Sequence, residues 1–212
     1  MKIAIVDYGM GNLHSVVKSM ELVAENHASV VLTADASVID AADKVVFPGQ
    51  GAMPDCMAHL EESGLIASVR RAAAEKPFLG ICVGAQLMFE QSAEGPTASL
   101  GIFKGEVVRF PPEQMVDAQG QKLKVPHMGW NEMFITRAHP LWHGIADGER
   151  FYFVHSYHFM PAEDITVVES AYPYRFAAAV ARDNIFAIQC HPEKSSTAGL
   201  KLLQNFVHWN GN

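Results

Sequence analysis

A cysteine between two glycines is the strongest candidate nucleophile in the chain. Gly80, Cys82 and Gly84 lie in FLGICVGAQ, residues 78–86, where an apolar run ends. This spacing is typical of a nucleophile elbow, a sharp strand-to-helix turn in which the nucleophile adopts strained dihedral angles and larger flanking side chains would collide. The amide of Val83 would then lie at a helix N-terminus, where it can donate to an oxyanion. The alternative is an unreactive buried cysteine, and the motif alone leaves both open.

A nucleophilic thiol needs a base, and the base needs an orienting carboxylate. QCHPEKS, residues 189–195, supplies His191 and Glu193 two positions apart after an apolar run. In an extended chain, positions i and i+2 project to one side, and Pro192 biases His191 toward extended geometry. We therefore predict that the imidazole and the carboxylate lie side by side. The alternative is a surface turn with unrelated polar residues.

A second oxyanion donor is predicted in FPGQG, residues 47–51. Here a glycine-rich loop follows a third apolar run, so the backbone amide of Gly51 or of Gln50 could approach a substrate closely. The alternative is an ordinary Pro-Gly turn.

The remaining motifs predict neither a cofactor nor a metal site. DYGMGN, residues 7–12, is followed by His14, where a dinucleotide-binding GxGxxG motif needs its third glycine. HPLWH, residues 139–143, contains a proline that disfavours a regular helix, and the histidines of VHSYH, residues 154–158, would point to opposite faces of a strand.

Short apolar runs and helical patterns alternate in the first half of the chain. KIAIVD, VVLT, KVVFPG and FLGIC are predicted strands, with a helix over 12–25 and further helical sequence over 53–74. This order predicts parallel strands covered by helices on both faces. Sites in such sheets lie at the carboxyl ends of the strands, which is where FPGQG, GICVG and HPE fall.

After residue 101 the pattern changes to short strands separated by turns. The predicted strands are GEVVRF, KLKVPH, NEMFIT, RFYFVHS, ITVVES, FAAAVAR and IFAIQC, and a last helix spans 197–209. These strands would extend the same sheet with antiparallel members. No linker is visible, so we expect residues 1–212 to form one three-layer α/β/α domain around a central, mostly parallel sheet.

Composition narrows the range of partners. The formal net charge is −7, with 16 Lys and Arg against 23 Asp and Glu. Non-specific binding to nucleic acid or to anionic membranes needs clustered positive charge, so metabolites or proteins are the expected partners. The three cysteines form no CxxC pair, and no apolar run approaches the ~18 residues of a membrane span, which favours a reducing, cytoplasmic location.

The strand-ending motifs PGQG, GICVG and HPE, in this order, resemble those of the class I glutamine amidotransferases. DYGMGNLHS, VPHMGWNEM and YFVHSYH extend the likeness and are similar to the glutaminase subunits of imidazole glycerol phosphate synthases. The resemblance implies a flavodoxin-like fold and a catalytic triad of Cys82, His191 and Glu193. It also implies that the cysteine attacks the side-chain amide of L-glutamine, that ammonia leaves, and that water hydrolyses the γ-glutamyl thioester.

The resemblance further implies binding roles for individual positions. The oxyanion donors would be Gly51 and Val83, and glutamine would be held by Gly49, Gln50, Gln86, Glu94 and the backbone of His155, Ser156 and Tyr157. Ammonia would pass to a (β/α)8-barrel cyclase subunit in a heterodimer, which converts PRFAR to imidazole glycerol phosphate and AICAR in histidine biosynthesis. The residues expected to face that barrel are Asn12, Trp130, Tyr152 and Lys194.

Two positions depart from the family pattern. Gln50 stands where a small aliphatic residue is common, and Cys190, which we expect to serve packing, stands where an aromatic residue is frequent. Two other activities use the same triad: a glutaminase domain that serves a different synthase, and a γ-glutamyl hydrolase. A third hypothesis is a binding module without activity.

Overall fold

The computed structural model describes residues 1–117 and 119–212. Its first half is a parallel sheet with the strand order β2-β1-β3-β4. The elements of this half are β1 (Lys2–Val6), α1 (Leu13–Ala24), β2 (Ser29–Thr33), α2 (Ala36–Ala41), β3 (Lys44–Gly49), α3 (Met53–Glu62), α4 (Ile66–Glu75), β4 (Phe78–Cys82) and α5 (Val83–Gln86). The central strands β3 and β4 are buried along their whole length, as expected for strands covered on both faces.

The second half extends this sheet. Its elements are β5 (Gln91–Ser92), β6 (Thr97–Ala98), β7 (Gly105–Arg109), β8 (His127–Ile135), β9 (Glu149–His155), β10 (Tyr157–Pro161), β11 (Thr166–Ala171), β12 (Arg175–Arg182), β13 (Ile185–Ile188) and α6 (Ser196–His208). β13 lies parallel to β4, and β12, β10 and β7 continue from it in antiparallel pairs. The predicted α/β class, a parallel sheet with an antiparallel extension, is confirmed.

Helices cover both faces of the parallel strands. α1 connects β1 to β2 in one direction along the sheet, and α2 returns in the other direction from β2 to β3. Because such crossovers are right-handed, the two directions put the two helices on opposite faces. α6 packs against α1 and α4 packs against α2, which completes the outer layers. None of the helices within the described ranges is long and apolar enough to cross a membrane.

Two expectations from the sequence need correction. The helical sequence over 53–74 is divided into two helices, because Gly64, with a φ of +70°, follows the end of α3. The predicted strand KLKVPH does not form. Lys122 makes one isolated bridge to Val116, and Pro126 has no amide to donate to a strand ladder.

Candidate active site

The three motifs meet at the carboxyl edge of the parallel sheet. β4 lies between β3 and β13, with Gly49 opposite Cys82 and Ile188 opposite Ile81. Parallel strands paired in this register end together, so the residues that follow them converge. The chain leaving β13 therefore brings His191 to the same cavity as Cys82.

Cys82 occupies the sharp turn between β4 and α5. Its φ of 54° and ψ of −116° are strained for a residue with a side chain, by roughly 1–3 kcal/mol. Gly84 must lack a side chain, because a Cβ atom there would lie 2.0 Å from the carbonyl oxygen of Phe47 in β3. A Cβ at Gly80 would lie 2.8 Å from the sulfur of Met88. The backbone thus forms the elbow that the spacing predicts.

His191 and Glu193 form a buried ion pair beside the elbow. Nδ1 of His191 is 2.8 Å from Oε1 of Glu193, and the two side chains are 3% and 1% exposed. The backbone of His191 is fixed at both ends, because its amide donates to the carbonyl of Tyr152 and its carbonyl accepts from Oγ of Ser195. Nε2 of His191 makes no hydrogen bond to any described residue, which leaves it free for a reaction.

The charges around His191 keep its ring protonated. Burial lowers the pKa of His191, but the thiolate form of Cys82 and the carboxylate of Glu193 outweigh burial and raise the pKa to about 10. The other two cysteines differ: burial raises the pKa of Cys56 to about 11 and raises that of Cys190 well above its usual value. At neutral pH, Cys56 and Cys190 are therefore uncharged thiols, and Cys82 is the cysteine beside an imidazolium.

A cavity of about 300 Å³ lies over the thiol. Ten of the residues singled out from the sequence line it: Gln50, Gly51, Cys82, Val83, Gln86, Glu94, His155, Ser156, Tyr157 and His191. Gly49 instead packs against the elbow, and Glu193 is tied to the far ring nitrogen of His191. Pro126 and Val154 also line the cavity, and nothing in their residue types indicates this from the sequence.

The two predicted oxyanion donors lie on separate elements that meet at the cavity. Gly51 has a φ of +115°, which glycine adopts without strain. The carbonyl of the preceding residue, Gln50, accepts from Sγ of Cys56 at 3.5 Å. Val83 begins α5, so its amide is one of the donors that a helix leaves without an internal partner.

The remaining predicted contact residues form the far wall. Oε2 of Glu94 accepts from the amide of Met53 at the start of α3, at 3.0 Å, which fixes the carboxylate at the cavity. Nδ1 and Nε2 of His155 lie 2.8 Å from the carbonyl of Tyr157 and 2.8 Å from Nδ1 of His127. Burial lowers the pKa of His155 well below its usual value, so this ring is neutral.

Gln189 lies at the site although the sequence analysis did not single it out. It is 0% exposed, its Oε1 accepts from Nε2 of Gln86 at 3.0 Å, and its Nε2 lies 3.9 Å from Sγ of Cys82. The sequence does contain a signal, because Gln189 precedes His191 by two positions, and alternation along an extended chain puts both side chains on one side.

The four residues expected at a subunit interface lie around the histidine side of the site. Trp130 and Tyr152 are paired on β8 and β9, with ring centroids 6.1 Å apart, and Trp130 is 45% exposed. Lys194 ends the short turn that carries Glu193. Asn12 immediately precedes α1, which packs against that turn.

The sequence matches the family Glutamine amidotransferase class-I over residues 4–209. The imidazole glycerol phosphate synthase subunit HisH of Chromobacterium violaceum is 62% identical over 100% of both chains, and that of Aromatoleum aromaticum is 59% identical over 98% of each. Two solved structures share the fold: a glutamine amidotransferase (TM-score 0.70, 15% identity, 97% of both chains) and PurLQS from Thermotoga maritima (TM-score 0.70, 19% identity, 98% of this chain and 97% of the other). The flavodoxin-like amidotransferase fold is thereby confirmed. The chain belongs to the class-I glutamine amidotransferases, and within them to the HisH subunits of imidazole glycerol phosphate synthase.

Proposed function

We propose that this chain hydrolyses L-glutamine to glutamate and ammonia. The observation that carries the proposal is that Cys82, in a strained turn, and the ring of His191 line one cavity, with Oε1 of Glu193 2.8 Å from Nδ1 of that ring. These groups supply the nucleophile, the proton carrier and the orienting carboxylate that cysteine-dependent amide hydrolysis requires.

The reaction starts from the Cys82 thiolate and the His191 imidazolium. Sγ attacks the side-chain amide carbon of glutamine, and the amide oxygen becomes an oxyanion that the backbone amides of Gly51 and Val83 stabilise. His191 gives its Nε2 proton to the departing ammonia, which leaves a γ-glutamyl thioester. His191 then takes a proton from water, the resulting hydroxide attacks the thioester, and glutamate leaves as the thiolate re-forms. Glu193 holds the ring in place throughout.

Glutamine occupies the cavity over the thiol in this proposal. The loop Gly49–Gly51 and Gln86 contact the substrate, together with the backbone of His155, Ser156 and Tyr157. Glu94 supplies the carboxylate for the α-ammonium group, a charge-assisted contact. Support comes from Glu94 being held at the cavity by the amide of Met53.

The chain acts, in this proposal, as one cytoplasmic domain over residues 1–212 in a heterodimer with a (β/α)8-barrel cyclase. The cyclase uses the ammonia to convert PRFAR to imidazole glycerol phosphate and AICAR. Support comes from the relatives, which are named as synthase subunits, and from the exposed Trp130 beside Tyr152. Exposed aromatic side chains are common anchors of protein interfaces, and Asn12 and Lys194 would complete the contact.

The test compares wild type with Cys82→Ala, each co-purified with the barrel subunit. We expect the substitution to reduce glutamate release by about 10³-fold or more, whereas cyclisation driven by added ammonium salt continues. Full glutamate release by Cys82→Ala would contradict the triad. Efficient cleavage of γ-glutamyl peptides by the chain alone would instead indicate a γ-glutamyl hydrolase.

A further inference from the structure

We propose that Gln189 is a positioning residue for the Cys82 thiolate, which its side-chain amide holds by an N–H···S hydrogen bond and links to the cavity wall through Gln86 and Tyr157. The proposal rests on the proposed glutaminase function and deepens it. Its basis is a continuous chain of contacts: the Tyr157 carbonyl to Nε2 of Gln86 at 3.2 Å, that nitrogen to Oε1 of Gln189 at 3.0 Å, and Nε2 of Gln189 to Sγ at 3.9 Å.

The direction of these hydrogen bonds follows from the first one, which ends on the carbonyl of Tyr157. A backbone carbonyl can only accept a hydrogen bond, so the group of Gln86 that faces Tyr157 must be its NH2 group. The same NH2 group faces Gln189, which must therefore present its oxygen to Gln86 and its own NH2 group to Cys82. Turning either amide around would bring two acceptors or two donors together. The amide that faces the sulfur is thus a donor, which favours a negatively charged sulfur.

The surroundings make the arrangement rigid and dry. Gln189 is 0% exposed and Gln86 is 3% exposed, so water competes little for these hydrogen bonds. The amide of Gln189 donates to the carbonyl of Ala178 in β12, which fixes its backbone one residue beyond β13.

A neutral amide does a task here that His191 cannot do. His191 loses its proton in the first half of the reaction and regains one in the second, whereas Gln189 keeps its donor throughout. In the second half, hydroxide adds to the thioester carbon and the C–S bond breaks, with the electron pair going to sulfur. A fixed N–H group stabilises that sulfur as it becomes anionic, so we expect Gln189 to affect thioester hydrolysis as well as thiolate formation.

The test measures the pH dependence of Cys82 alkylation in the full-length chain by iodoacetamide, with the modified cysteine identified by peptide mass. Gln189→Met keeps the approximate size but removes the donor, and we expect the midpoint of the profile to move upward by about one pH unit. Gln189→Glu places a second negative charge near the sulfur and should move the midpoint further in the same direction. Gln91→Met, at an exposed glutamine on β5, is the matched control and should leave it unchanged.

The titratable groups around Cys82 do not change in Gln189→Met. They are Tyr8, Cys56, Cys190 and His191, with Glu193 behind His191 and with Glu94 and His155 on the same cavity. A shift of the midpoint therefore reports the loss of the amide donor, provided that thermal unfolding shows a folded protein. If Gln189→Met does not fold, Gln189→Leu decides the question, because it also removes the donor without adding a charge.

Two outcomes would overturn the proposal: a folded Gln189 variant with the wild-type midpoint, or equal shifts in the Gln189 variants and in Gln91→Met. The hydrogen bond between Gln86 and Gln189 leads to a further prediction. Gln86→Met should shift the midpoint less than Gln189→Met, and the double variant should shift it no further than Gln189→Met alone. Failure of the proposed function would look different, because Cys82→Ala would then keep glutaminase activity whatever the midpoint.

Discussion

Gly84→Ala tests whether steric clearance at the elbow maintains both the fold and the site. In the wild-type backbone, the added Cβ would lie 2.0 Å from the carbonyl oxygen of Phe47, 2.8 Å from its carbonyl carbon and 2.9 Å from that of Pro48. Ordinary contacts begin at 3.4 Å, so the end of β3 and the start of α5 must separate by about 1.4 Å, the difference between the first and last of these values. All three neighbours are backbone atoms, so no side-chain rotation relieves the overlap.

The size of the effect follows from this overlap. Overpacking a core costs typically ~1–3 kcal/mol, and rigid backbone neighbours put this substitution at the upper end. A loss of about 3 kcal/mol lowers the Tm of a chain of this size by roughly 6–12 °C. The same movement separates Cys82 from the loop Gly49–Gly51, and a displacement of about 1 Å in an active site costs on the order of 10²-fold in rate.

The assay combines thermal unfolding with glutamate release in the complex with the proposed barrel subunit. Gly101→Ala is the matched control: no atom lies within 4 Å of its added Cβ, and its φ of +63° leaves backbone strain as the cost. That strain amounts to about 1–2 kcal/mol, and we expect activity to remain unchanged. A Gly84→Ala protein with the wild-type Tm and rate would refute the reasoning, as would equal losses of activity in the two variants.

Two further substitutions probe buried charges. Glu193→Gln should lower the pKa of His191 and reduce kcat by about 10²–10⁴-fold. Because the pKa of His191 is raised in the folded state, its charged ring stabilises the fold. This contribution to the unfolding free energy is complete below about pH 6.5 and is lost as the pH rises toward 10. The difference in unfolding free energy between wild type and Glu193→Gln, measured in urea, should therefore shrink over that range, and a constant difference would argue against it. Lys44→Met should lower the unfolding free energy by about 3 kcal/mol without loss of activity, because the buried ammonium donates to the last carbonyls of α6, at Phe206, Val207 and Trp209. A loss below about 1 kcal/mol in urea unfolding would show that these carbonyls do not depend on the lysine.

The parallel half of the fold could be predicted because its pattern is local. β4 is an apolar run and so is β3 after Lys44; both end in glycine-containing turns, and such runs alternate with helical sequence. In KLKVPH, apolar and polar residues alternate as they do in many strands, yet the segment forms no strand. A strand also needs the edge of a neighbouring strand with which to pair. Whether that edge exists depends on the packing of distant segments, which a local pattern does not contain.

The distinction between local sequence pattern and long-range packing applies to the site as well. Cys82 and His191 could be predicted because each follows a strand, and neighbouring parallel strands end at one edge. The placement of Gln189 beside His191 follows from alternation along the chain, but its role could not be predicted, because that role depends on the orientation of Gln86, which is set by the carbonyl of Tyr157, 71 positions away in the sequence. Such hydrogen-bond chains cross several strands and appear only once the fold has brought them together.

Buried polar atoms without partners concentrate at this edge of the sheet. Five such side-chain atoms occur in the described residues, among them Nε2 of His191, Oε2 of Glu193 and the hydroxyl of Tyr8, which lies against Gly49. The strained backbone of Cys82 at the same edge costs roughly 1–3 kcal/mol. Stability alone does not favour this edge, so the surrounding core must hold it in place.

Among these five atoms, Nε2 of His191 is the one that bears on the reaction. If Nε2 of His191 donated to a protein acceptor, that hydrogen bond would have to break before a proton could reach the departing ammonia of the proposed reaction. Because Nδ1 is held by Glu193 at 2.8 Å and Nε2 has no protein partner, the ring is fixed in orientation while its reactive proton stays available. In the proposed reaction, the nitrogen without a protein partner is therefore the one at which proton transfer occurs.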